Sequence, residues 1–209
     1  IKIHWKSTVV NTNGYKKINS IEIMKLSDDG TSVIGKKINE KCDCLGISGG
    51  WTPRVHLFTQ SGGKLKFRDE DNIFIPDKSD LDQLSIGSCN GDFELDDVIT
   101  NSVNSTNKFL NVDNIDYKNL KIISSKEINK KNIWLLPSDK PLGKTKPFLD
   151  FQNDSTAKDI KLALREGFKS IEHVKRYTTT GMATDQGKLS NMHALGIIAE
   201  TAGVKMGEL

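Results

Sequence analysis

At 209 residues and 36% hydrophobic content, the chain can bury a core as one large domain or two small ones. A net charge of +3, mostly lysine interspersed with acids, reads as a solvated surface and argues against nucleic-acid binding. No apolar run approaches a membrane span and the opening IKIHWKSTVV has no secretion-signal layout, so the expectation is a soluble, cytoplasmic protein without membrane contact.

From Ile1 to Gly50, short alternating runs broken by turn residues predict sheet: IKIHW, then SIEIMKL, then CDCLGIS as a returning strand that ends in Ser48-Gly49-Gly50. Ile21, Ile23 and Leu26 would face inward while Glu22, Met24 and Lys25 face out, with turns at Asn13-Gly14 and Asp29-Gly30. Cys42 and Cys44 would share one face of the returning strand. With Cys89 they make an odd count without C-x-x-C pairs, so buried thiols in a reducing compartment outweigh a zinc site or a disulfide framework. Next come a helical turn in RVHLFTQ, short strands at KLKF and NIFI, and LSIGSCNG as a strand running into a glycine-flanked bend. A helix over about 93 to 110 follows, with acids in its first turn, and is expected beside the sheet.

Residues 111 to 132, rich in lysine, asparagine and serine around one short apolar run (LKII), read as a surface connection. The following segment, with three of the five prolines, cannot be helical throughout. The character then changes. STAKDIKLALREGF predicts a helix capped by Ser155 or Thr156, with Asp159 at the capping-box position and Gly167 as a stop. SIEHVKRYTT predicts a second from Ser170, ended by Gly181, and KLSNMHALGIIAETAG a third whose N-terminus lies near Lys188. The division is thus 1–110 as a partial dinucleotide-binding domain, 111–146 as a connecting segment and 147–209 as a small helical module. The missing initiator Met and the helical C-terminus read as cut ends.

ISGGWTP and GSCNG, two glycine-rich turns after presumed strands, resemble the latter half of a two-dinucleotide-binding-domain flavoprotein. That implies an α/β fold: the C-terminal part of an FAD/NAD(P)-binding domain followed by an all-α module. Its G-x-G-x-x-G fingerprint is absent here and is expected upstream. Where that class has an acid in the second turn, Ser88 stands, which favours NAD over FAD. FLDFQNDSTAKDIKLALREGFKSIEHVKRYTTTGMATDQGKLSN, residues 148–191, is similar nearly residue for residue to the alpha subunit of heterotetrameric sarcosine oxidases. The resemblance implies a subunit of a flavin enzyme that oxidatively demethylates sarcosine to glycine and passes the one-carbon unit to tetrahydrofolate. It also implies a beta subunit and further subunits as partners, with amine oxidation on the beta subunit, so that this chain alone is inactive. It places NAD against Gly50, Trp51, Thr52, Leu57 and Thr59. The same glycines also read as a plain turn, and Trp51 as a core anchor.

The helical module further resembles a ferredoxin-type [2Fe-2S] domain, with Asp150, Gln152, Asp185 and Ser190 where that domain has its four cysteines. No iron–sulfur cluster is therefore expected. What remains is a loop of hydroxyls, an amide and cations, namely Arg176, Thr178, Thr179, Thr180, Thr184, Gln186 and Lys188, with Gly181 and Gly187 letting backbone N–H groups approach an anion. The resemblance makes it the alpha side of an FMN pocket shared with the beta subunit. Helix capping by the threonines, with Lys188 in water, is the other reading. A flavin-free interaction module, or a related opine- or dimethylglycine-type amine dehydrogenase subunit, are the alternatives for the whole. His4, His56, His173 and His193 have no triad-like partners, so no catalytic residue is assigned.

Overall fold

The computed structural model describes residues 1–112 and 132–209, and the expected connection at 111–132 lies almost wholly outside them. Three antiparallel strands open the chain: β1 (Ser7–Gly14), β2 (Ile18–Leu26) and β3 (Val33–Lys41), in spatial order β1-β2-β3. The Asp29 carboxylate shapes the β2–β3 turn by accepting from the Thr31 N–H at 3.1 Å and the Thr31 hydroxyl at 2.7 Å. Simple alternation fails at Met24, which is buried beside Ile23 rather than outward. The register with β3 shifts here, three residues of β3 (Gly35, Lys36 and Lys37) lying opposite Met24 alone, while on the other edge Met24 pairs with the buried Thr8 of β1.

IKIHW is not a strand, and neither is CDCLGIS. For the latter, the described residues place no strand alongside it, and an extended segment without a ladder partner is not a strand. Cys42 is therefore only half-buried and Cys44 exposed, both as free thiols, instead of sharing an inner face.

By contacts the chain divides into two compact units, Ile1–Ile47 with Ile133–Leu209, and Ser48–Asn132. The second unit contains α1 (His56–Gln60), the hairpin β4 (Lys64–Arg68) and β5 (Ile73–Lys78), and α2 (Leu95–Leu110). Ile73 and Ile75 supply its buried side chains from β5, and Phe67 meets Phe74 edge to face at 5.1 Å across the hairpin. LSIG is not a strand, and Gly87–Asn90 is a single 3-10 turn. The Arg68 guanidinium reaches the carbonyl of Gly91 at 2.9 Å while gripping Asp71, which fixes that turn to the hairpin. The Asp71 carboxylate holds the Arg68 pKa above its ordinary value.

The helical part of the first unit has the strands β6 (Phe148–Asp150) and β7 (Ser155–Thr156), then α3 (Ala157–Arg165), α4 (Ile171–Thr178) and α5 (Asn191–Ala202). The expected capping box is present: the Asp159 carboxylate accepts from the Thr156 N–H at 2.8 Å. Ala157, Ile160 and Ala163, three apart on α3, are fully buried against Val174 of α4 and Ala194, Ile197 and Ile198 of α5. Burying side chains such as Ile160 and Ile197 contributes about 2 kcal/mol each. Two ends differ from expectation. α4 stops at Thr178 rather than at Gly181, because Thr179 already adopts the left-handed conformation (φ 58°), and α5 begins at Asn191, three residues past Lys188.

Trp134 packs on Gly196 of α5, where an added methyl group would come within 2.2 Å of the indole, and meets His193 edge to face. Alanine is the better helix former by about 1 kcal/mol, but overpacking a filled contact costs about 1–3 kcal/mol. Gly196→Ala should therefore lower the unfolding midpoint in denaturant, and adding Trp134→Leu should recover most of the loss.

Candidate functional site

The loop between α4 and α5 is stitched to the β6–β7 turn, and the residues responsible are mostly ones the sequence did not single out. Asp150, 3% exposed, accepts N–H groups from Gln152 at 2.9 Å and Asn153 at 3.1 Å through Oδ1, and from Gly181 at 2.8 Å through Oδ2. The Gln152 side-chain oxygen accepts the Thr184 N–H at 3.0 Å, and the Asn153 side-chain amide donates to the Thr179 carbonyl at 2.8 Å. Ser155, buried, donates to the Thr178 carbonyl. Further along, the two Asp185 oxygens accept from Gly187 and Leu189 at 3.2 and 3.3 Å. Three of the four positions compared with cluster cysteines are thus occupied by oxygen acceptors that serve backbone N–H groups. At the fourth, Ser190 is 1% exposed and its hydroxyl has no partner among the described residues.

Burial alone would push the Asp150 carboxyl up, but the N–H groups of Gly181, Asn153 and Gln152 outweigh it and hold the pKa below the ordinary value. The ionised form is the one the loop needs.

The threonines divide by burial. Thr178 and Thr180 are turned inward, their hydroxyls 2.8 Å apart, and the Thr178 hydroxyl donates to the Val174 carbonyl at 2.8 Å. Between them Thr179 is exposed, in a conformation that a β-branched residue seldom adopts. Thr184, Gln186 and Lys188 are exposed on the crest, with Gln186 also left-handed (φ 52°). Lys188 has no ion-pair partner among the described residues, and Arg176, on α4, has only a long 3.9 Å contact with Glu172. Ser190 caps α5 without a side-chain hydrogen bond. On the other side of the stitch, a shallow depression of about 280 Å³ is lined by Asp154, Asp159, Tyr177 and Thr178 among others. It has two carboxylates and no cation, the wrong sign for a phosphate. Of the residues singled out, Arg176, Thr179, Thr184, Gln186 and Lys188 are exposed, while Thr178 and Thr180 are buried inner supports. Among the described residues no three His, Cys, Asp or Glu side chains converge as a metal donor set.

The five residues expected to meet NAD fall in the second unit. Gly50 (φ 130°), Trp51, Thr52, Leu57 and Thr59 are all exposed, Leu57 and Thr59 on α1, where the Thr59 hydroxyl donates to the His56 carbonyl at 3.0 Å. Trp51 is 79% exposed with Phe93 at 6.4 Å, so it is not a core anchor.

The sarcosine oxidase A3 domain family matches residues 144–209, which include the stitched loop and all three helices around it. The likeness to that family thus covers the helical part of the chain. The likeness also extends beyond it. The chain is 33% identical to the sarcosine oxidase subunit alpha of Rhizobium meliloti (strain 1021), over 98% of this chain and 20% of that protein. With the sarcosine oxidase subunit alpha of Corynebacterium sp. (strain P-1) it shares 30% identity over 98% of this chain and 22% of the relative. The chain therefore spans about a fifth of the length of these curated relatives. A crystal structure of L-proline dehydrogenase from P. horikoshii shares the fold with a TM-score of 0.60 and 18% identity, covering 96% of this chain and 40% of that one. The α/β architecture and the resemblance to sarcosine oxidase alpha subunits are both met.

The Asp150 pKa is lowered on folding, so its stabilisation is fully present above the unfolded value of about 3.9 and drains away as pH falls through the folded value. Asp150→Asn should cost about 2–3 kcal/mol at pH 7, because it sets an amide group against buried N–H donors. In denaturant unfolding between pH 7 and 2, the variant and wild-type curves should converge at the acid end.

Proposed function

We propose that the chain is part of the alpha subunit of a flavin-dependent amine oxidoreductase of the sarcosine oxidase type, in which the α4–α5 loop forms the alpha side of an FMN pocket. The family match over the loop-bearing module, with alpha-subunit relatives along the rest of the chain, carries the reading. The crest supports it chemically. Arg176 and Lys188 supply charge, the exposed Thr179, Thr184 and Gln186 side chains supply hydrogen-bonding groups, and α5 begins without a side-chain cap on its first-turn N–H groups. A flavin bound there would supply electron transfer. This chain's residues would hold its phosphate and exclude water, and no proton-transfer residue is assigned to them.

In the same reading Gly50, Trp51, Thr52, Leu57 and Thr59 form an NAD-facing surface, and the module holds no iron–sulfur cluster, since residues 144–209 lack cysteine and Asp150, Gln152 and Asp185 are engaged with backbone N–H groups. The whole complex, with a beta subunit and further subunits in the cytoplasm, would oxidise sarcosine to glycine and hand the one-carbon unit to tetrahydrofolate. The bond-making steps would lie outside this chain.

An interaction module without flavin is the second reading, favoured by exposed Phe151, Met182 and Leu189 around the loop. Expression of the full parent gene with its neighbours separates the two. A yellow complex that oxidises sarcosine supports the flavin reading, and a colourless one sinks it. In that complex Arg176→Ala with Lys188→Ala should lower the FMN content severalfold while leaving the unfolding midpoint near wild type, because both side chains are exposed. Unchanged flavin content in this double variant would remove the loop from the pocket.

A further inference from the structure

Two left-handed glycines form the corners of the loop, and one side chain fills the space that both leave. Gly181 has φ 71° and Gly187 φ 74°. A methyl group on Gly181 would meet the Asn191 Oδ1 at 2.1 Å and the Gly187 Cα at 3.2 Å. One on Gly187 would meet the Asn191 Oδ1 at 2.1 Å and its Cγ and Nδ2 at 2.3 Å each. The corners therefore close on the Asn191 carboxamide, and a side chain at either would have to displace that amide.

Each corner is also tied from outside, Gly181 through its N–H to Asp150 and Gly187 through its N–H to Asp185. Asn191 is the first residue of α5, whose next turns carry the buried Ala194, Ile197 and Ile198. The wedge thus stands between the helical core and the crest. Thr184 and Gln186 lie between the two corners, and Lys188 directly follows the second.

We propose that Asn191 is a positioning residue for the crest: it locks the Gly181 and Gly187 corners so that Thr184, Gln186 and Lys188 face a phosphate-type anion, and it does so as a neutral amide. The proposal rests on the flavin reading of this loop. The chemistry sets two demands in opposition at this position. A carboxylate in the first turn of a helix is favourable to the helix, and Asp has nearly the shape of Asn, so the wedge would remain. The same negative charge beside the crest would repel an anion held there.

A residue with a purely structural role cannot satisfy both expectations, which makes Asn191→Asp the informative variant. It is to be made in the full-length chain, co-expressed with its partner subunits, with FMN per complex counted from the flavin absorbance after denaturation and stability read from the melting temperature. The proposal expects the melting temperature to hold or rise while FMN per complex falls about tenfold, the effect of one unit charge acting on an anion near a protein surface. Retained flavin with retained stability overturns it, and so does loss of both together, which would make Asn191 a packing residue only.

A second measurement keeps the wedge itself testable. Gly187→Ala should destabilise less in an Asn191→Ala background than in wild type, because the amide it collides with is gone. Additive effects would overturn the wedge. Arg176→Ala with Lys188→Ala distinguishes the two levels of the argument. If that pair empties the site and Asn191→Asp does not, the assignment of Asn191 alone falls. If neither changes flavin content, the reading of the loop falls with it.

Discussion

The carboxylate of Asp150 is buried, yet among the described residues no cation pairs with it. A bare charge in such a place costs several kcal/mol, and what makes it tolerable is that three backbone N–H groups converge on two oxygens, from Gln152 and Asn153 on its own turn and from Gly181 on the far loop. The turn bonds orient the carboxylate, and the long-range one uses it. Leu149, next to it, belongs to the core formed by α3, α4 and α5, so the ion is anchored beside that packed core. The Gln152 bond to Thr184 and the Asn153 bond to Thr179 follow from that first attachment, since both side chains extend from a turn that Asp150 has already shaped.

This arrangement clarifies the comparison with ferredoxin-type domains. A metal cluster joins two loops through soft sulfur ligands, whereas carboxylate and amide oxygens are hard acceptors matched to N–H donors. With Asp150 and Gln152 on one loop and the N–H groups of Gly181 and Thr184 on the other, the same joining is achieved by hydrogen bonds. The order is conditional on ionisation at Asp150 and on nothing redox-active among the residues of the stitch.

Legibility in the sequence followed the range of each interaction. The capping box of Thr156 and Asp159 and the acidic first turn of α2 are decided within one helical turn, and both were readable. The returning strand over CDCLGIS was not, because a strand is defined by a neighbour that the residue pattern does not contain. Met24 defeated alternation for a related reason: it pairs with the buried Thr8 of β1, a neighbour that the pattern of β2 does not contain. The same holds at the site. Three consecutive threonines look equivalent as letters, and only the left-handed turn at Thr179 sends Thr178 and Thr180 inward and leaves Thr179 outside. Asp150 and Gly181 are 31 residues apart, and no spacing rule links them. The Asn191 wedge was equally hidden, although two glycines ahead of a helix starting at an asparagine were a local hint that something must fill the space they leave.

Inside and outside of this loop do different jobs, and the magnitudes keep them apart. A buried hydrogen bond to a charged group contributes about 1.5–3 kcal/mol, so Asp150 sets whether the loop has a fixed shape at all. An exposed i,i+4 ion pair contributes only about 0.3–0.5 kcal/mol, and at 3.9 Å the Arg176–Glu172 contact has no better claim. The two cations of the crest are therefore nearly free of duty toward the fold, whereas the Gln186 amide donates to the Ala183 carbonyl at 2.9 Å and the Thr179 hydroxyl to the Thr178 carbonyl at 2.7 Å. The chemistry of the cations can be directed wholly at a ligand, because the inner residues already hold the backbone that presents them. A loop whose shape depended on Arg176 or Lys188 would lose its geometry whenever those side chains turned to bind something else; this one keeps it.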